Sequence, residues 1–281
     1  MTNPTTTDLL ADFSLEMTGK DVDDLNAAAG LLPRGTRVNV TFLGNEDLTM
    51  RTAAARAVRT AGLEPVPHIS ARRLHDRAEL ETYLRALHEV DAATSVFCVG
   101  GDPATPHGPY ADAESVIRTG VLPAAGVRHV SIAGYPEGHP DIPDDVLWSA
   151  LRGKVAALAE QGVEGSIITQ FAFDEKPVLR WIEQVRDAGV HLPIRIGVPG
   201  PAGVKRLLGF ARRFGIGANA LIVKKYGFSL TNLMGTAGPE RLIGALAASY
   251  DPGRHGPVRL HFYTFGGIQA TSQWITEFRS R

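Results

Sequence analysis

A chain of 281 residues with 44% hydrophobic and 21% charged side chains can bury a sizeable core, and its length suits one α/β barrel of about 250 residues. The formal net charge of −1 and the lack of a long basic run argue against a nucleic-acid partner. No apolar stretch reaches the roughly 18 residues of a membrane span, and Met1 to Thr7 is polar without a signal-peptide core, so a soluble, cytoplasmic protein is expected. The single cysteine, Cys98, excludes a disulfide within the chain; set in an apolar strand, it reads as a small buried hydrophobe.

In chain order, residues 1 to 8 read as a loose arm, and Leu10 to Glu16 alternates as a first strand. A helix over about Val22 to Leu32 leads to a second strand, Arg37 to Phe42. Residues 46 to 61 are predicted helical, with Asn45 as N-cap and Gly62 as stop. The third strand, Pro65 to Ile69, carries His68, and a helix follows from Asp76 to Val90. Val96-Phe97-Cys98-Val99 is a fourth strand running into Gly100-Gly101-Asp102, either an ordinary turn or a carboxylate delivered to the strand end. Polar residues at the other strand ends favour delivery.

A helix is expected from about Ala111 to Leu122, a fifth strand over Val127 to Tyr135, and a long helix from Pro143 and Asp144 to about Gln161. Gly165 to Gln170 is the sixth strand, 175 to 188 a helix, and Pro193 to Pro199 the seventh strand. Several helices are expected between Gly203 and Tyr250. Val258 to Phe265 is the eighth strand, and a helix from about Gln269 to Phe278 closes the chain. Eight strands alternating with helices favour a single parallel (βα)8 TIM barrel over an open doubly wound sheet, with residues 1–281 as one domain. A homo-oligomer stays open: Leu207, Leu208, Ala211 and Phe214 offer an apolar face that core packing explains equally well.

Chemistry in such barrels gathers at the C-terminal strand ends, here Glu16, Thr41, His68, Asp102, Tyr135, Gln170 and Tyr263. No metal is expected, because the nine histidines form neither a His-x-His pair on the first strand nor a His-Glu-x-x-His helix. A P-loop, a Rossmann fingerprint and a Gly-x-Ser-x-Gly elbow are absent too. Two carboxylates remain. Glu16, between Leu15 and Met17, has an apolar setting that favours the neutral acid, whereas Asp102 beside glycine backbone donors is suited to stay ionised. Such a division fits iminium chemistry, in which an acid opens a ring aminal, an anion steadies the cation and a hydride is delivered.

At these positions the chain resembles the methylenetetrahydrofolate reductase family along most of its length. Phe13-Ser14-Leu15-Glu16 is similar to the family's Phe-Glu motif, Pro67-His68-Ile69-Ser70 to Pro-His-Leu-Thr, and Gly101-Asp102 to the end of Arg-Gly-Asp. Tyr135-Pro136-Glu137-Gly138-His139-Pro140, Thr169-Gln170-Phe171 and His261-Phe262-Tyr263-Thr264 complete the series in order. The resemblance implies interconversion of 5,10-methylenetetrahydrofolate and 5-methyltetrahydrofolate, with FAD passing hydride from NADH or NADPH. It implies Glu16 as general acid and Asp102 as electrostatic partner of pterin and flavin. Gln170, Phe171 and Tyr263 would hold the folate; Thr41, His68, Gly101, Asp102, Tyr135, His139 and Lys154 would hold FAD. The chain departs from the family where Gly100 and Gly153 stand in place of arginines and Phe265-Gly266-Gly267 in place of Asn-Arg. Each lost arginine removes charge-assisted contacts of roughly 1.5 to 3 kcal/mol, which implies a weakened hold on FAD, up to direct service of the folate by the nicotinamide. Two other classes fit a folate pocket: a pterin-binding barrel that transfers methyl groups without redox chemistry, and a non-catalytic folate-binding protein.

Overall fold

A computed structural model of the chain describes residues 6–213 and 236–280. Eight strands form a closed parallel barrel: β1 (Ser14–Met17), β2 (Arg37–Val40), β3 (Glu64–Ser70), β4 (Ser95–Val99), β5 (His129–Gly134), β6 (Glu164–Phe171), β7 (Ile194–Pro199) and β8 (Val258–Tyr263). Around the barrel the order is β1-β8-β7-β6-β5-β4-β3-β2, with helices between the strands, so the fold is the (βα)8 barrel and not an open sheet. A two-stranded ribbon pairs Ala202–Gly203 with Thr236–Ala237.

Contacts divide the chain into two compact units. One comprises Met1–Leu15, Gly134–Leu147 and Ile168–Arg281. Here β8 pairs with β7 from Val258↔Ile194 to Tyr263↔Pro199, and with the start of β1 through Ser14↔His261 and Leu15↔Phe262. All six residues of β7 are buried, as a strand covered on both faces requires. The other unit comprises Glu16–Ala133 and Trp148–Ile167. Its strand β3 contains two prolines, residues that break a ladder by lacking an N–H. They are tolerated because Pro65 and Pro67 lie in the half paired with Val38 and Val40, before pairing with β4 begins at His68↔Phe97. The helices Leu48–Thr60 and Arg77–Glu89 cover this unit with Ala54, Ala55 and Val58, and with Leu80, Leu84 and Leu87. Each buried leucine contributes about 1.5 to 3 kcal/mol.

Several element boundaries differ from expectation for local reasons. The first strand starts at Ser14 and not at Leu10, after a helical turn over Thr6–Leu9. Leu9 and Leu10 are buried where that turn ends, and Asp12 is held by Arg195 through its carbonyl and carboxylate at 2.7 Å each. The helix Leu48–Thr60 is capped by Asp47, whose Oδ1 accepts from the Met50 amide at 2.7 Å, and not by Asn45. The helix expected over Ala111 to Leu122 splits into Ala113–Ile117 and Val121–Ala124, because Gly120 turns the chain with φ +71°. Of the region from Gly203 to Tyr250, helices Val204–Arg213 and Glu240–Ser249 are described, while Phe214 lies outside the described residues. No helix among the described residues is long and apolar enough to cross a membrane.

Candidate active site

Glu16 sits near the end of β1 between the buried Leu15 and Met17, with its own side chain 20% exposed. Its Oε2 stands 3.6 Å from Nε2 of His68, the residue that the Pro65-Val66-Pro67 run delivers to the second half of β3. Nδ2 of Asn39, fully buried on β2, faces the same Nε2 at 3.4 Å. The His68 ring meets Phe97 edge-on at 4.8 Å, so the imidazole is fixed in plane as well as in partner. Asn39 was not among the residues singled out from sequence. Its one signal is a polar side chain between two valines of a buried strand.

Thr41 follows β2, but its hydroxyl donates to the Glu46 carboxylate at 3.2 Å. Glu46 is itself buried and accepts the backbone N–H groups of Gly19 at 2.6 Å and Leu43 at 2.8 Å. One carboxylate thereby ties the loop after β1 to the loop after β2. It belongs to the loop that displaces the expected Asn45 cap.

Asp102 is presented beyond β4, with its side chain 67% exposed, and its Oδ1 accepts from Arg73 Nη2 at 2.5 Å. The delivery depends on Gly101, whose φ of +95° disfavours other residues and whose Cβ would lie 2.3 Å from Ser70 Oγ. The cation beside Asp102 is thus a side chain from the turn after β3 and not a neighbour in sequence. Gly44 makes room for it, since a Cβ there would meet Arg73 Nη1 at 2.6 Å.

Lys154, on the helix Asp144–Gln161, is buried, and its Nζ donates to the Ala133 carbonyl at 2.9 Å. Loss of hydration pulls its ammonium down to about 8, against the opposing pull of Asp112, Cys98 and Glu114. Burial likewise pushes the Cys98 thiol up to about 12, so it is inert. The three glycines noted as departures from the resemblance differ in kind. A Cβ on Gly100 meets nothing within 4 Å, one on Gly153 would strike Glu114 Oε2 at 1.9 Å, and Gly267 takes φ +101°. Among the described residues, no group of three or more His, Cys, Asp or Glu side chains is placed to hold a metal.

In the other unit, Tyr135 lies edge-on to His139 at 5.6 Å, and lost hydration holds its phenol above the usual value. His139 Nδ1 accepts from the Asp141 amide at 3.1 Å. Gln170 folds back so that its Oε1 accepts from the Phe171 amide at 3.1 Å. Tyr263 at the end of β8 donates its hydroxyl to the Thr169 carbonyl at 3.0 Å. Its ring lies over Gly197, where a Cβ would be 2.8 Å from Tyr263 Cε2 and 2.5 Å from the Thr169 carbonyl oxygen. Phe171, Tyr263 and Phe265 form one aromatic cluster, and Phe210 stacks on Phe265 at 4.0 Å. Phe265, expected as the last residue of the eighth strand and as a departure from the resemblance, lies past the strand's end at Tyr263; its part in the cluster follows from the fold.

The structure therefore brings Glu16 to His68, Asp102 to Arg73, and Phe171 to Tyr263. Among solved structures, dihydropteroate synthase from Thermus thermophilus shares the fold, with TM-score 0.50 and 12% identity, over 95% of this chain and 92% of that one. The 5,10-methylenetetrahydrofolate reductase of Salmonella typhimurium is 29% identical over 236 residues, 81% of this chain and 75% of its own. Methylenetetrahydrofolate reductase 2 of Saccharomyces cerevisiae is 36% identical over 87 residues, 30% of this chain but only 13% of that protein's length. The family model for methylenetetrahydrofolate reductase matches residues 13–276, nearly the whole chain with every strand of the barrel, and on that match the chain belongs to the methylenetetrahydrofolate reductase family.

Proposed function

We propose that this protein is a folate oxidoreductase, a single catalytic barrel that interconverts 5,10-methylenetetrahydrofolate and 5-methyltetrahydrofolate with NADH or NADPH. The observation that carries the reading is the Glu16 carboxyl, seated between buried apolar neighbours and 3.6 Å from His68, in a chain of this family. In the reducing direction Glu16 gives its proton to one nitrogen of the folate aminal. The bond from that nitrogen to the bridging methylene breaks, and the other nitrogen becomes an iminium. Asp102 offsets the new cation, and hydride from the dihydronicotinamide adds to the methylene to leave a methyl group. In the oxidising direction the Glu16 carboxylate takes the proton back. Gln170, Phe171 and Tyr263 hold the pterin, a flat ring suited to aromatic neighbours.

Thr41 and Lys154, two of the residues assigned to FAD by resemblance, are engaged within the protein and offer no free donor to a flavin dinucleotide, so no step is routed through it. Its pyrophosphate needs cations and free donors. Here the Lys154 ammonium is turned to the Ala133 carbonyl, Gly153 abuts the Glu114 carboxylate, and the Thr41 hydroxyl is engaged by Glu46. Turnover with both folates and both nicotinamide cofactors tests the function. Glu16→Gln should cut turnover by roughly 100-fold or more, as expected for a general acid, while folate still binds. Unchanged NAD(P)H-linked activity in that variant would refute the assignment.

A further inference from the structure

The contact between Asn39 and His68 has a direction set by its atoms. With the Asn39 amide nitrogen turned to the ring, the amide donates and His68 Nε2, 3.4 Å away, accepts. A neutral imidazole that accepts at Nε2 carries its proton on Nδ1. The Glu16 carboxyl stands 3.6 Å from that same Nε2. Glu16 and His68 can thus share one proton in two ways: a carboxylic acid beside neutral imidazole, or a carboxylate beside imidazolium. A donor aimed at the ring's lone pair stabilises the first arrangement and opposes the second, because hydrogen bonding to the neutral form disfavours the charged one. The Phe97 ring, edge-on at 4.8 Å, keeps the imidazole from turning away. Full burial of Asn39 keeps water from replacing the amide.

We propose that Asn39 is a positioning residue that holds the proton shared by Glu16 and His68 on the Glu16 carboxyl, so that the acid is loaded before folate arrives. This rests on the reading of Glu16 as the general acid. The proton account closes: the carboxyl O–H breaks as its proton passes to the folate nitrogen, and the Glu16–His68 pair then takes one proton from water. The bias from Asn39 returns that proton to the carboxyl. The residue acts through His68 and touches no reacting atom itself.

The experiment is ring 15N NMR of His68, assigned with His68→Gln, alongside steady-state kinetics of Asn39→Asp and Asn39→Gln. Wild type should show His68 neutral with its proton on Nδ1. Asn39→Asp sets an acceptor-only group against Nε2, and should convert His68 to a form protonated there. Its kcat should fall by roughly ten- to a thousandfold, while the folate KM stays within about twofold. Asn39→Gln, whose longer side chain can still donate an amide N–H, should lose less kcat than Asn39→Asp. A merely structural role would lower both Asn39 variants together and leave the His68 tautomer unmoved. Wild-type His68 protonated on Nε2, or an Asn39→Asp protein with wild-type kcat, overturns the proposal. If Asn39→Asp does not fold, the wild-type tautomer alone decides. Failure of the underlying function looks different: wild type lacks folate-linked turnover, or Glu16→Gln keeps it, whatever the tautomer.

Discussion

Lys154 shows how one side chain can be read two ways. By resemblance it would face a cofactor; in the fold its amine is buried against the Ala133 carbonyl. Burial lowers it from 10.5 to about 8, a cost to the folded state on the order of 3 kcal/mol where the amine is charged. The unfolded chain therefore binds more protons between pH 8 and 10.5, and this group makes stability rise with pH across that window. Below about pH 8 both states are protonated and the full penalty applies. Lys154→Met removes the penalty but leaves the Ala133 carbonyl without its donor, a loss of about 1 kcal/mol. Thermal melts should show the variant more stable than wild type at pH 7 by about 1 to 2 kcal/mol, with the gap closing toward pH 10. A variant less stable by the same amount at both pH values would contradict this account. Neither this burial nor the ion pair of Asp102 with Arg73 could be read from the chain, since the partners lie 21 and 29 residues apart in sequence.

At the scale of elements, the strand ends act as platforms whose precision depends on glycines that look ordinary in sequence. Gly197 in the middle of β7 is the sharpest case, because a Cβ there would meet both the Thr169 carbonyl oxygen and the Tyr263 ring that bonds it. Its amide also donates to Thr169 Oγ1 at 2.8 Å, so β7 cannot simply shift away. Gly197→Ala should destabilise by about 1 to 3 kcal/mol, the usual cost of overpacking, and should weaken folate binding through Tyr263. Urea unfolding together with a folate titration checks both; a variant with the wild-type midpoint and affinity would show that the ring and strand relax freely. Most strands were legible to within a few residues because their apolar runs are bounded by Gly, Pro and charge. The first strand and the cap at Asp47 were not, since Leu9 and Leu10 are buried by tertiary contacts and Glu46 is engaged by amides of another loop.

For the molecule as a whole, the cofactor question follows from how charge is used around the second unit's strand ends. Protein purified without added cofactor should show no stoichiometric flavin absorbance, and added FAD should leave NAD(P)H-linked turnover unchanged. A one-to-one flavin band would overturn the flavin-free reading while leaving the folate reaction in place. By itself, the sequence determined the architecture and the family: strand and helix periodicities are local, and motifs such as Pro67-His68 and Gly101-Asp102 stay intact when read along the chain. It also marked Glu16 and Asp102 as the carboxylates to watch. Only the tertiary structure decided what surrounds them. Asn39 meets His68 across 29 residues, and Arg73 meets Asp102 through space opened by Gly44. Parallel strands in a closed barrel bring residues together by register and not by spacing, so the partners of Glu16 and Asp102 are invisible until the barrel closes.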